Sequence, residues 1–185
     1  PNVIGAIALA ASMRKLSQIG MGTIAAHEAE LTAYTLSKMN QIPEIKIYGS
    51  NDPHRLADRL GVITFEIDGL PHGKVAAILS FEGGIAVRDG CFCAHPYVLE
   101  LLGISQDEFA VYKQEAIAHN RSRLPGMVRA SFGCYNTIEE VDQFIEMLNR
   151  IVSGDFIGDY VVNHSNGSYT PQNFSNQIFN NYFRF

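Results

Sequence analysis

The chain has 185 residues, 46% of them hydrophobic and 18% charged, and a formal net charge of −5 from 14 basic and 19 acidic side chains. That is one globular domain of ordinary size, or one domain with an appended helix pair and a tail, with an apolar surplus that either packs inside or meets a partner surface. The basic residues are scattered, which argues against nucleic acid; no apolar run approaches the roughly 20 residues of a bilayer span; and an odd number of cysteines, two of them only two positions apart, argues against a secreted disulfide scaffold.

In chain order, residues 3–19 are rich in Ala, Ile and Leu around most of a helical circumference, as in a buried helix. Gly20-Met21-Gly22 interrupts them, and a second helix over about 23–42 carries Leu31, Tyr34, Thr35, Met39 and Ile42 at helical spacing until Pro43 ends it. Lys46, Ile47 and Tyr48 suit a short strand before the turn-rich Gly49-Ser50-Asn51-Asp52-Pro53. Residues 62–67 alternate as a half-buried strand with Ile63, Phe65 and Ile67 on one face. Pro71 opens a helix to about Phe81, residues 85–88 read as a short strand, and 97–102 and 107–119 read as helices, the second behind the capping box Ser105-Gln106-Asp107-Glu108.

Past the Pro125-Gly126 turn, a strand over 127–132 puts Met127, Arg129 and Ser131 on one face and Val128, Ala130 and Phe132 on the other, so Arg129 points away from the apolar face. A second capping box, Thr137-Ile138-Glu139-Glu140, opens the clearest amphipathic helix, carried by Ile138, Val141, Phe144, Ile145, Leu148 and Ile151. After Gly154 the chain turns to Gly, Asn, Ser and aromatic residues, ending in Phe183-Arg184-Phe185. This reads as an irregular tail whose aromatics pack on something, such as a second subunit, or as a loosely ordered end. The pattern predicts an α+β fold: lead-in helices over 1–42, a small sheet covered by helices over 43–154, and a tail over 155–185.

The chemistry concentrates in Gly84-Ile85-Ala86-Val87-Arg88-Asp89-Gly90-Cys91-Phe92-Cys93-Ala94-His95-Pro96, which sets two thiols and an arginine in one strand-to-loop segment. A thiolate is the reactive form of cysteine, and a cation such as Arg88 favours it. A cysteine in such a context is also often a small packed hydrophobe. Cys91 lies two residues from Cys93, on the same side if the segment is extended, and could resolve or receive a group carried on that thiol, or simply pack. The Cys91, Cys93 and His95 string would need a further ligand such as Cys134 to hold zinc; no second Cys/His pair at the usual spacing completes a site, and no metal is expected. His27, His54, His72, His119 and His164 show no metal or triad spacing.

This segment together with Met127-Val128-Arg129-Ala130-Ser131-Phe132-Gly133-Cys134-Tyr135-Asn136-Thr137 resembles the C-terminal part of class V aminotransferases, especially the cysteine desulfurases. The resemblance runs over nearly the whole chain and implies the small C-terminal domain of a fold-type I transferase dependent on pyridoxal phosphate. Arg88, Gly90, Cys93 and Ala94 match the pattern around the family's catalytic cysteine, which takes sulfur from substrate cysteine as an enzyme persulfide and leaves alanine. Many desulfurases of this branch carry two histidines where Cys91 and Phe92 stand, and Gly-Cys-Phe-Cys looks more like the molybdenum-cofactor sulfurase branch.

Arg129 resembles the arginine that holds the substrate's α-carboxylate through two parallel hydrogen bonds, although an arginine on a strand can also pair with an acid such as Glu66 or Asp68; Arg88 has the same two readings. Asn136 and Thr137 fit the family's signature before the last helix, with Thr137 as its N-cap.

None of Lys15, Lys38, Lys46, Lys74 and Lys113 lies in the context of the family's Schiff-base lysine, so no cofactor-binding residue is assigned. Pro1-Asn2 resembles the Pro-Asn that follows a Gly-Thr in the family, as though the large domain preceded it. The resemblance thus implies a C-terminal piece of a homodimeric enzyme acting on an amino acid, inactive alone, with a sulfur-acceptor protein as a further candidate partner; with no apolar span or charged leader in the chain, a cytoplasmic or organelle-matrix location is the default expectation. A class V aminotransferase or lyase in which Cys93 is incidental, and a sulfur-relay or binding module independent of pyridoxal phosphate, are the alternatives.

Overall fold

The computed structural model describes residues 1–56 and 59–175. Helices α1 (Val3–Ile19) and α2 (Met21–Met39) lead into strands β1 (Ile45–Tyr48) and β2 (Val62–Ile67), then helix α3 (His72–Gly83), strand β3 (Arg88–Gly90), helices α4 (His95–Leu101) and α5 (Gln106–Ile117), strand β4 (Met127–Ser131), helix α6 (Ile138–Ser153) and the short strands β5 (Tyr160–Val162) and β6 (Tyr169–Pro171). The mixed α and β architecture, a small sheet covered by helices, is the one expected; the two-stranded pair of β5 and β6 is additional to it.

The principal sheet has the order β1-β2-β4-β3, every neighbour antiparallel. Alternation along β2 buries Ile63, Phe65 and Ile67, as the pattern requires. On that face they meet Val75, Ile78 and Leu79 of α3, Phe144, Leu148 and Ile151 of α6, and Leu36 and Met39 of α2 in one core. Phe65 and Phe144 pack edge to face at 6.1 Å between ring centres. Both expected capping boxes form, at Ser105 with Glu108 and at Thr137 with Glu140.

Four local expectations change. The first helix exists, but none of its residues is buried: Ile4, Ile7, Leu9 and Met13 are all more than half exposed, since burial requires surface beyond that of α2. Strand β3 starts at Arg88 rather than Ile85, because Gly84 ends α3 in a left-handed conformation (φ 64°) and the Ile85 N–H bonds back to the Leu79 carbonyl. That closing turn of α3 uses residues that would otherwise enter the sheet.

Met127 is as buried as Val128, so the end of β4 next to Gly126 is apolar on the Arg129 face as well. The segment after Gly154 forms a hairpin, β5 with β6, whose aromatics lie against α3 of the same chain: Phe81 stands 5.0 Å from Phe174 and 6.5 Å from Tyr160. The terminal Phe183-Arg184-Phe185 lies outside the described residues. Among those described, no helix is long and apolar enough to cross a membrane.

Candidate active site

Antiparallel pairing sets Arg88 of β3 directly opposite Arg129 of β4, and Arg129 opposite Thr64 of β2. Residues paired in this way project from the same face, here the face away from the core, and like charges placed so repel unless an anion lies between or above them. The Arg129 Nε is buried and has no hydrogen-bond partner. The acids proposed as structural partners are engaged elsewhere or not seen pairing with it: Glu66 takes Lys46 at 3.0 Å and the Tyr48 hydroxyl at 2.9 Å. An unsatisfied buried guanidinium N–H is costly, and a carboxylate satisfies it with a matching fork.

The Arg129 guanidinium stands over the Phe92 ring, 5.1 Å from its centre. Phe92 is the residue before Cys93, so the stack brings the expected carboxylate clamp and the expected thiol loop together. Phe92 (φ 52°) and Cys93 (φ 61°) are both left-handed, a conformation that costs a side-chain-bearing residue about 1–2 kcal/mol. The Ala94 N–H closes the turn on the Cys91 carbonyl at 2.7 Å. Strain of this kind persists where the surroundings impose it, and it gathers at functional loops.

The loop's base is tied down. A Cβ on Gly126 would lie 2.5 Å from the Gly90 Cα, so the backbone entering the loop and the backbone entering β4 cross with room only for glycine. The Cys91 thiol donates to the Pro125 carbonyl at 3.1 Å, and burial pushes that thiol's pKa up. His72 bridges the same region, with Nδ1 2.9 Å from Asp89 Oδ2 and Nε2 3.0 Å from the Leu124 carbonyl. The hydrogen bond from His72 holds the Asp89 carboxyl below its usual range against the opposing effect of burial.

The segment is therefore a turn rather than an extended strand, and Cys91 and Cys93 part company. Cys91 is half-buried against Pro125, whereas Cys93 is exposed. A cavity of about 1180 Å³ opens beside the loop, lined by His72, Asp89, Gly90, Cys91, His95 and Tyr169 among others. The described lining includes Cys91 but not Cys93, Phe92, Arg88 or Arg129, so the Cys93 thiol and the two guanidinium groups lie outside this cavity. Cys134 is exposed and free, and no group of three His, Cys, Asp or Glu residues among those described could hold a metal ion.

Asn136 and Thr137 fasten the turn before α6. Asn136 Oδ1 accepts from the Gly133 N–H at 2.7 Å, its Nδ2 donates to Glu140 at 2.8 Å, and its carbonyl lies 2.9 Å from His27 Nε2 on α2. Sequence reasoning assigned no role to His27, His72 or Phe92. Phe92 alone carried a signal, since it stands between the two thiols of the loop.

The residues present do not supply the anchor that pyridoxal phosphate needs. Lys46 pairs with Glu66, Lys38 and Lys74 stand over the rings of Tyr34 and Phe156, and Lys15 and Lys113 lie on α1 and α5. What they do offer is an unpartnered Arg129 Nε, which a carboxylate would satisfy, and an exposed thiol at Cys93.

A family model described as aminotransferase class-V matches residues 1–144. A probable cysteine desulfurase of Synechocystis sp. is 32% identical over 152 residues, 82% of this chain and 30% of its own length. A cysteine desulfurase of Escherichia coli O139:H28 is 34% identical over 151 residues, with the same shares of 82% and 30%. Among solved structures, the apo cysteine desulfurase of Thermococcus onnurineus NA1 aligns with a TM-score of 0.66 at 35% identity, over 83% of this chain and 32% of its own. The cysteine desulfurase CsdA of Escherichia coli shares the fold, with a TM-score of 0.64 at 22% identity, over 85% and 32%. The chain thus spans about 30% of the length of the curated relatives it matches.

Proposed function

From the premise that the chain belongs to the class-V aminotransferase family, we propose that it is the small C-terminal domain of a cysteine desulfurase. In this reading Cys93 accepts sulfur from substrate cysteine while Arg129, assisted by Arg88, holds the substrate's α-carboxylate. The observation that carries it is the pair of arginines facing each other across β3 and β4, one with a buried, unpartnered Nε, stacked on the residue next to an exposed cysteine.

The groups divide the work by chemistry. Arg129 orients the amino acid with a planar fork, and Arg88, paired opposite it across β3 and β4, adds a second positive charge for the carboxylate. Cys93 is exposed on a turn, where a thiol can reach a substrate held by other residues. The sulfur leaves the substrate's β-carbon and bonds to the Cys93 Sγ, and the substrate keeps its hydrogen count as alanine. Pyridoxal phosphate supplies the electron sink for that bond cleavage in such enzymes, and its lysine belongs to a large domain outside this chain, so the chain alone is inactive.

The complete enzyme is a cytoplasmic homodimer that passes the persulfide to an acceptor protein. Cys91, its thiol donated to Pro125 and its pKa raised, is a poor attacking group until that contact opens, so any relay through it follows a loop movement.

The test is alanine formation from cysteine by the complete enzyme supplied with pyridoxal phosphate, comparing the wild type with Cys93→Ala. Loss of alanine with the substitution is expected. Equal alanine from both proteins would remove Cys93 from the mechanism and favour an aminotransferase or lyase, and sulfur uptake by the isolated chain without the cofactor would favour a relay module.

A further inference from the structure

The loop bearing Cys93 is held at one end by the Gly90 and Gly126 crossing and the Cys91 thiol. On the thiol's own side the contact of note is the Phe92 ring beneath Arg129. Phe92 and Cys93 both occupy left-handed backbone that bulky residues avoid, and the contact between Phe92 and Arg129 joins the Ala94 N–H bond in offsetting that conformation. Phe92 is half-buried, and its ring lies under the guanidinium.

An aromatic face attracts a guanidinium through its quadrupole and takes none of the in-plane N–H groups, so the donor edge of Arg129 remains available for a carboxylate. The unpartnered Nε fits that arrangement, since the contact with the ring leaves its N–H without an acceptor.

Resting on the desulfurase reading for the reaction itself, we propose that Phe92 is a positioning residue that couples Arg129 to the Cys93 loop. The group that takes the substrate's carboxylate then also holds the loop that presents the thiol. Substrate binding and thiol placement become one linked event, because any shift of the guanidinium is felt at the residue adjacent to Cys93.

Hydrogen exchange of the loop peptide in the complete enzyme tests the coupling, since the Ala94 amide is bonded within the turn at 2.7 Å. Wild type, Phe92→Leu, Arg129→Gln and the double variant form a cycle. Each single substitution should speed exchange roughly three- to tenfold, from the strength of a cation–π contact, and the double variant should add little further. Phe92→Tyr, which keeps the ring, should restore slow exchange and also the rate of alanine formation lost in Phe92→Leu.

Single effects that multiply in the double variant would overturn the proposal, because they would mean that Phe92 and Arg129 act on the loop separately. So would wild-type exchange in Phe92→Leu. A wild-type enzyme that makes no alanine would overturn the desulfurase reading and with it the catalytic half of the proposal, while the exchange cycle still decides the coupling.

Discussion

Replacing Glu82 with alanine should release the C-terminal hairpin from α3 while the four-stranded sheet stays folded. The Glu82 carboxylate accepts the Ile157 N–H at 3.0 Å, the Gly158 N–H at 3.1 Å and the Tyr160 hydroxyl at 3.0 Å, and Arg150 stands 3.7 Å away. A hydrogen bond to a charged group is worth about 1.5–3 kcal/mol net; the three share one acceptor and are not additive, and the freed N–H groups recover water because Ile157 is exposed, so about 2–3 kcal/mol in total is expected. Glu82→Gln, which keeps one oxygen acceptor but turns an amide toward Arg150, should lose roughly half of that.

Burial pushes the Glu82 carboxyl up, but the two N–H groups, Tyr160 and Arg150 outweigh it and hold the group below its ordinary value of 4.5. The sign follows from linkage. A depressed folded pKa gives stability that is fully present above the unfolded value and lost as pH falls through the folded one. The hairpin of the wild type should therefore loosen as the pH falls below that ordinary value, and that of Glu82→Gln should show no such step. Hydrogen exchange across residues 157–171, followed against pH and urea, reads both effects. A change under about 0.5 kcal/mol in Glu82→Ala, or faster exchange in β2 and β4 equal to that in the hairpin, would refute the reasoning.

The close crossing at Gly126 predicts that Gly126→Ala, whose Cβ would fall 2.5 Å from the Gly90 Cα and 2.8 Å from His72 Nε2, costs about 2–4 kcal/mol and lowers the thermal midpoint; an unchanged midpoint would show that the two backbones can separate freely. Arg129→Lys replaces a planar fork with a point charge. The KM for cysteine should rise roughly tenfold or more with a smaller change in kcat, and an unchanged KM would place the carboxylate elsewhere.

Local regularities carried much of the fold. The period-2 burial of Ile63, Phe65 and Ile67, the apolar stripe of α6 and the capping boxes at Ser105 and Thr137 all depend on neighbours within a few residues, and the chain states them directly. Cys93, Arg88 and Arg129 were legible as candidates for the same reason, through short motifs around each.

Tertiary structure decided what depends on distant partners. Strand register set Arg88 opposite Arg129, and the crossing of Gly90 with Gly126 sent Cys91 toward Pro125 while Cys93 faced solvent. The aromatics after Gly154 could not declare their docking site until Phe81 and Glu82 of α3 were in place to receive them. The apolar length of α1 predicted its helix but not its exposure, because periodicity records which side chains avoid water, and burial depends on whether another surface arrives to cover them.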